Sequence, residues 1–340
     1  MIPAIFGISG PVLTAEERAF FRDCDPAGYI LFGRNCVDPE QLRALTDDLR
    51  SIHGRDRLLV SIDQEGGRVA RLRPPLWAGY PSGQAFDALY QIAPASAIEA
   101  ARANATAMAL ELSYMGITVD YHPPLDLRVP GAHDVIGDRA FGADPMQVAA
   151  LGRAVLEGLA AGGVAGCIKH MPGHGRSDVD THKALPTVTA PAAELEADLA
   201  PFRTLNQALV GMTGHLVFTA WDPENPATLS QTVIRDIIRR RIGFDGLLLT
   251  DDIDMEALGG SIPERAARAQ AAGCDIILNC WAKMDDMAGI CEVLSPMSDA
   301  TAARLDRALA GTRIAPALAP EAAELLAKRD ALLALAGTPA

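Results

Sequence analysis

The sequence has no excess of basic residues. Thirty Lys and Arg stand against 43 Asp and Glu, for a net charge of −13 over 340 residues. Such a chain lacks the field that draws phosphate backbones, so nucleic acid is excluded as the expected partner. It also lacks any apolar run near the ~20 residues that span a bilayer. Its start, Met1-Ile2-Pro3-Ala4, has no basic segment leading into an apolar one, so no membrane partner and a cytoplasmic address are expected. The six cysteines (Cys24, Cys36, Cys167, Cys274, Cys280 and Cys291) show no CxxC spacing, which excludes a zinc finger. Three fall in or beside apolar runs, so they read as buried free thiols and no disulfide is expected.

What is present is ordinary globular matter, 49% hydrophobic and 21% charged, too apolar for disorder. Segments of strand character recur along the chain, most followed by amphipathic stretches of helical period. The strands read as Ala4 to Ser9, Gly28 to Phe32, Leu58 to Asp63, Thr118 to Tyr121, Val164 to Ile168, MTGHLVFTAWD from Met212, GLLLTDDIDM from Gly246, and Cys274 to Leu278. Thr14, with Glu16 and Glu17 behind it, reads as the cap of the first helix. Leu42, Leu45 and Leu49 give a second helix its apolar stripe. Eight strand–helix units with no linker or repeat between them predict an α/β fold, a (β/α)8 barrel in a single domain over residues 1–340, with closing helices at about 301–335. An open doubly wound sheet is the alternative. Asp63, Asp126, Lys169, His170, His215 and Asp251 fall near carboxyl ends of different strands, the face where barrel enzymes keep their sites, which favours the barrel.

The densest chemistry lies in CIKHMPGHGRSDVDTH, Cys167 to His182, where three His, one Lys and two Asp share sixteen residues. Pro172, Gly173 and Gly175 make a continuing helix untenable, so the stretch reads as a strand entering a long loop, with Lys169 and His170 at the loop's start. Asp180 and His182 are two apart, which in extended chain puts both on one face. An Asp there holds a His tautomer and raises its basicity, as a general acid and then base requires. A merely structural hydrogen bond is the plainer reading of such a pair, and Lys169 and His170 could be an ion-paired and a satisfied core group. The seventh strand delivers Asp251, Asp252 and Asp254 into the same mouth. Helix capping would account for Asp252 or Asp254, and less well for Asp251, which has the equipment for attack on an anomeric carbon. In IDQEGGRVARLR, Gly66 and Gly67 permit a tight turn, and a salt-bridged loop would explain its mixed charges.

The stretch KHMPGHGRSDVDTH closely resembles the signature loop of glycoside hydrolase family 3. IDQEGGRVARLR, IGDRAFGADP and LLTDDIDM resemble further blocks of that family, in its order, and with GYILFGRN they cover about residues 28 to 255. The nearest likeness is to the family's short bacterial β-N-acetylglucosaminidases. This resemblance implies that Asp251 is the nucleophile and that His182, partnered by Asp180, is the acid/base. It implies further that Asp63, Arg71, Arg139, Lys169 and His170 bind a non-reducing N-acetylglucosamine. It also implies retaining hydrolysis without metal or cofactor, acting in the cytoplasm on anhydro-muropeptides from recycled cell wall, with a small carbohydrate as substrate and no obligate protein partner.

Three other readings stand beside this one. His170, His174, Asp180, His182 and Asp251 could assemble a zinc site with an open position, although HEXXH and a paired HxH on the first strand are absent. A histidine acid/base would not repel phosphate, so a phosphorylase on the same substrates is possible. A binding protein on a decayed barrel would not need acid, base and candidate nucleophile together.

Overall fold

Leu247 and Leu249 pack in one hydrophobic cluster while Leu248, between them, packs in another. This period of two is what a strand buried on both faces requires. It recurs around the whole sheet: Ile5, Ile30, Leu59, Val119, Cys167, Val210 and Met212 fill the inner cluster, and Phe6, Leu31, Val60 and Ile168 the outer one. The computed structural model describes residues 1–177 and 185–337.

The eight inner strands are β1 (Ile2–Gly7), β2 (Pro26–Leu31), β3 (Leu59–Ile62), β4 (Val119–Asp120), β5 (Ala165–Met171), β6 (Val210–Thr213), β7 (Leu247–Leu249) and β8 (Ile277–Asn279). Neighbours pair in parallel and in chain order from β1 to β7, and β1 also pairs with β8 through Ala4 with Ile277 and Phe6 with Asn279. The last seam, β7 to β8, is bridged by Leu249 and Ile276, with Thr250 N–H donating to the Ile276 carbonyl at 3.0 Å. The sheet therefore closes as the expected (β/α)8 barrel in one domain, and the open alternative is set aside.

The helices are α1 (Ala15–Cys24), α2 (Pro39–His53), α3 (Gly83–Tyr90), α4 (Pro94–Tyr114), α5 (Pro145–Gly162), α6 (Leu195–Thr204), α7 (Val233–Ile242, wound as a π-helix), α8 (Ile262–Ala272), α9 (Met284–Val293), α10 (Asp299–Leu309) and α11 (Glu321–Leu333). Thr14 and Glu17 exchange hydrogen bonds of 3.0 Å as a capping box, satisfying two amide donors at the start of α1. Helix α10 puts Leu305, Ala308 and Leu309 into the inner cluster and plugs the barrel. Helix α11 is tied to α4, since Arg329 Nη1 donates to Asn104 Oδ1 at 3.0 Å. No helix among the described residues is long and apolar enough to cross a membrane.

Three expectations need correction. The cysteines are not all free: Cys24 and Cys291 form a disulfide. Barrel closure sets α1, which ends at Cys24, beside α9, which carries Cys291. Their Cα atoms are 6.5 Å apart, yet 267 residues separate them in sequence, a proximity no local spacing reveals. Cys36, Cys167, Cys274 and Cys280 remain thiols. Lys169 and His170 do not begin the loop either, because β5 runs on to Met171. The segment after Thr213 also leaves the sixth strand, and Val217–Phe218 pairs with Thr187–Val188 and Asp222–Pro226 in a small side sheet.

Candidate active site

The same alternation that fills the barrel extends to its mouth. Leu59 and Ser61 are followed on their face by Asp63, Cys167 by Lys169, and Leu247 and Leu249 by Asp251. All three polar residues line one cavity of about 260 Å³, together with Arg71, Arg139, His170, His174, Phe32, Tyr121 and Asp252. Apolar side chains below and ionisable ones at the rim put fixed charge in a dry, rigid wall.

The β3 loop supplies Arg71. Gly66 and Gly67 both take positive φ, +98° and +56°, and a Cβ on Gly66 would lie 2.3 Å from the Pro81 carbonyl oxygen. This turn folds the loop back on its own strand, where Gln64 Oε1 accepts the amides of Arg71 and Leu72 at 2.8 and 3.1 Å. Arg71 then reaches Asp63 Oδ2 at 3.0 Å. Lys169 Nζ lies 3.0 Å from Asp63 Oδ1 and 2.6 Å from Glu65 Oε1. Arg139 completes the array through a two-pronged contact with Glu65, at 2.9 and 2.8 Å. Burial alone would raise both carboxyls, but Lys169 and Arg71 hold Asp63 below its ordinary range, and Arg139 and Lys169 hold Glu65 well below. Burial would strip Lys169 of its proton, and Glu65 and Asp63 reverse that, so it stays charged.

The β5 side is organised by Asp126, which is fully buried. Its Oδ2 accepts from His170 Nδ1 at 2.7 Å, and its Oδ1 from the backbone amides of His170 and His174 at 3.2 and 2.7 Å. His170 is thereby turned so that Nε2 approaches Arg139 Nη2 at 3.5 Å. Burial and the neighbouring His170 push His174 down to about 4, so its ring is neutral.

Asp251 receives the amide of Asp252 at 2.8 Å. Burial pushes its carboxyl up, but His215, His170, that amide and Lys169 together hold it below the ordinary aspartate range. It stands as a carboxylate on the cavity wall. His215 is fixed by Thr228 Oγ1 at 2.8 Å and the Asp252 carbonyl at 2.9 Å. Asp252 and Asp254 do not cap a helix: Asp254 Oδ2 accepts from Asn279 Nδ2 at 2.7 Å and Cys280 N at 3.0 Å, which ties β7 to β8.

The family model for the glycosyl hydrolase family 3 N-terminal domain matches residues 10–315. The chain belongs to glycoside hydrolase family 3. A β-hexosaminidase of Aromatoleum aromaticum is 39% identical over 82% of this chain and 79% of its own, and one of Chromobacterium violaceum is 38% identical over 90% and 86%. Among solved structures, NagZ from Neisseria gonorrhoeae in complex with N-trifluoroacetyl-D-glucosamine matches 98% of each chain at 33% identity, with a TM-score of 0.86. The family 3 chain is thus a glycoside hydrolase of the bacterial β-N-acetylglucosaminidase type.

Of the eight site residues expected from sequence, the family 3 barrel brings six together: Asp63, Arg71, Arg139, Lys169, His170 and Asp251. The other two, Asp180 and His182, lie outside the described residues. The zinc alternative loses the same two from view, and among the described residues no group of three His, Cys, Asp or Glu could hold a metal ion. Sequence reasoning placed Asp126 among the strand-end residues and Glu65 in a salt-bridged loop, but counted neither as a site residue, although these two carboxylates organise the cations and the histidines. Each follows a strand end by a few residues, in IDQEGG and HPPLDL, and that position was the available signal.

Proposed function

We propose that the chain is a retaining exo-β-N-acetylglucosaminidase that releases the non-reducing N-acetylglucosamine of β-1,4-linked cell-wall fragments, anhydro-muropeptides among them. The observation that carries this reading is Asp251, held ionised on the wall of a cavity that the Asp63, Lys169 and Arg71 array also lines. A cavity of about 260 Å³ suits one sugar rather than an extended chain, which favours action at a chain end. Charged groups paired in fixed positions offer a sugar's hydroxyls strong hydrogen bonds without reorganisation. The relative that binds N-trifluoroacetyl-D-glucosamine supports an N-acylated sugar as the occupant.

In the proposed reaction, Asp251 attacks the anomeric carbon while the bond to the leaving oxygen breaks, and protonated His182 gives its proton to that oxygen. A glycosyl ester on Asp251 results. Water then attacks the same carbon as neutral His182 takes its proton, the ester bond breaks, and both groups return to their starting states. Asp180 keeps His182 basic enough for the second step. Two displacements retain configuration. Proton NMR of the sugar first released from 4-nitrophenyl N-acetyl-β-D-glucosaminide tests this: the β-anomer appears first if the reading is right, and the α-anomer first contradicts it. Hydrolysis of the matching β-glucoside at an equal rate would contradict the N-acetyl preference.

A further inference from the structure

Beside the catalytic cavity, and sharing Phe32, Arg71, Asp252, Met255 and Cys280 with it, lies a second hollow of about 640 Å³ that opens over the end of β8. The sugar cavity is walled by paired charges. This neighbour contains unpaired ones. Arg34 and Lys283 line it, and among the described residues neither has a carboxylate within salt-bridge distance. Arg34 is pinned rather than free, since Nε donates to the Ile8 carbonyl at 2.8 Å and Nη2 to the Cys280 carbonyl. Its guanidinium carbon and that of Arg71 each lie 4.9 Å from the centre of the Phe32 ring, so two like charges are gathered on one aromatic. Arg71 is answered by Asp63. Arg34 has only carbonyl hydrogen-bond partners among the described residues.

The carboxylates of this hollow are largely spent. Asp254 Oδ2 accepts from Asn279 and from the amides of Cys280 and Trp281, and Asp252 Oδ1 accepts from the amides of Asp254 and Cys280. Glu256 alone stands exposed. Above them Trp281 is 62% exposed, a large apolar surface given to solvent at the rim of a site. Ala282, next to it, is held at a positive φ of 56°, a conformation that L-residues other than Asn and Asp rarely take. Cations in an acidic protein, a bare indole and continuity with the sugar cavity belong together as a recognition surface.

We propose that this hollow is the subsite for the leaving portion of the substrate, where Trp281 stacks on its sugar ring and Lys283 with Arg34 selects a carboxylate carried by that ring. This rests on the function proposed above and adds to it the chemistry that distinguishes one leaving group from another. A neutral leaving group gains only the stack. An acidic one gains the stack and the ion pair.

The test compares two disaccharides, N-acetylglucosamine β-1,4-linked to anhydro-N-acetylmuramic acid with its free carboxylate, and the methyl ester of the same compound. The wild-type chain is expected to prefer the acid about fivefold in kcat/KM, the yield of a solvent-exposed ion pair. The preference should shrink in 0.5 M NaCl. Lys283→Ala brings the ratio towards one and Lys283→Arg restores it. Trp281→Ala raises KM for acid and ester alike, up to about tenfold, as loss of an aromatic contact predicts. Equal rates for acid and ester in the wild type, or a ratio unmoved by Lys283→Ala, would overturn the proposal. Both side chains are exposed, so neither variant endangers the fold. Release of nitrophenol from 4-nitrophenyl N-acetyl-β-D-glucosaminide is measured alongside, and its absence in the wild type would overturn the underlying function instead.

Discussion

Glu65 Oε1 and Lys169 Nζ lie 2.6 Å apart, with side chains 3% and 2% exposed. A buried lysine in the wall of a cavity keeps its charge only because this carboxylate and Asp63 face it. Removal of one partner from a buried pair typically costs about 3–5 kcal/mol, since the other is left uncompensated. Glu65→Ala strands Arg139 and leaves Lys169 with Asp63 alone. Urea denaturation should register a loss of that size, with a smaller one for Glu65→Gln. A loss under about 1 kcal/mol would mean that the array relaxes without Glu65.

Asp126 does not itself line the cavity, yet it accepts three hydrogen bonds from His170 and His174, which do. Hydrogen bonds to a charged group contribute about 1.5–3 kcal/mol each. Loss of one such bond's worth of orientation in Asp126→Ala should lower kcat/KM about 10- to 100-fold. Far-ultraviolet dichroism should stay near that of the parent. Activity within threefold of wild type would show that His170 needs no such hold.

Burial pushes His122 and His174 down to about 4. An unfolded chain takes up these protons near the ordinary value of 6.5, whereas the folded rings refuse them until far lower. The unfolded state therefore binds more protons between these limits, and stability falls as pH falls through them. The lowered carboxylates Asp63, Glu65, Asp126 and Asp251 contribute stability above their ordinary values and lose it only at more acid pH. Burial raises the carboxyls of Glu111, Asp120, Asp198 and Asp252, which contribute with the opposite sign as pH falls, so the histidine share is read by comparing denaturation midpoints at pH 7, 6 and 5 between the parent and a histidine variant. His122→Gln should flatten the slope, and an unchanged slope would remove His122 from the explanation.

The bond between Cys24 and Cys291 ties the first helix to the one after the last strand. Thiol titration of the unfolded, unreduced chain should find four groups, and six after reduction. Cys24→Ser should cost about 2–4 kcal/mol of stability. Six thiols in the untreated protein would contradict the bond.

Much of the molecule was legible before its structure, because period-two burial and strand-end polarity are both written locally. Asp63, Lys169 and Asp251 sit two residues beyond inward-facing Ser61, Cys167 and Leu249, so counting by twos from the core reaches the site. Arg71 and Arg139 come from loops, and there the resemblance located what periodicity could not. Glu65 looked like one partner in a salt-bridged surface loop. Only the closed sheet reveals that its partner is Lys169 from another strand, 104 residues on. The cysteine pair was hidden for the same reason, since barrel closure joins the chain's ends. The short helix Gly83–Tyr90 was missed.

The most direct measurement is the mass of the protein after brief reaction with a 5-fluoro N-acetyl-β-glucosaminyl fluoride, followed by proteolysis and peptide mapping. Fluorine slows both displacements and the activated leaving group restores the first, so a covalent intermediate accumulates. One sugar per chain should appear, on the peptide that contains Asp251, and Asp251→Asn should carry none. A sugar on another residue, or rapid turnover with no adduct on either protein, would contradict Asp251 as the nucleophile.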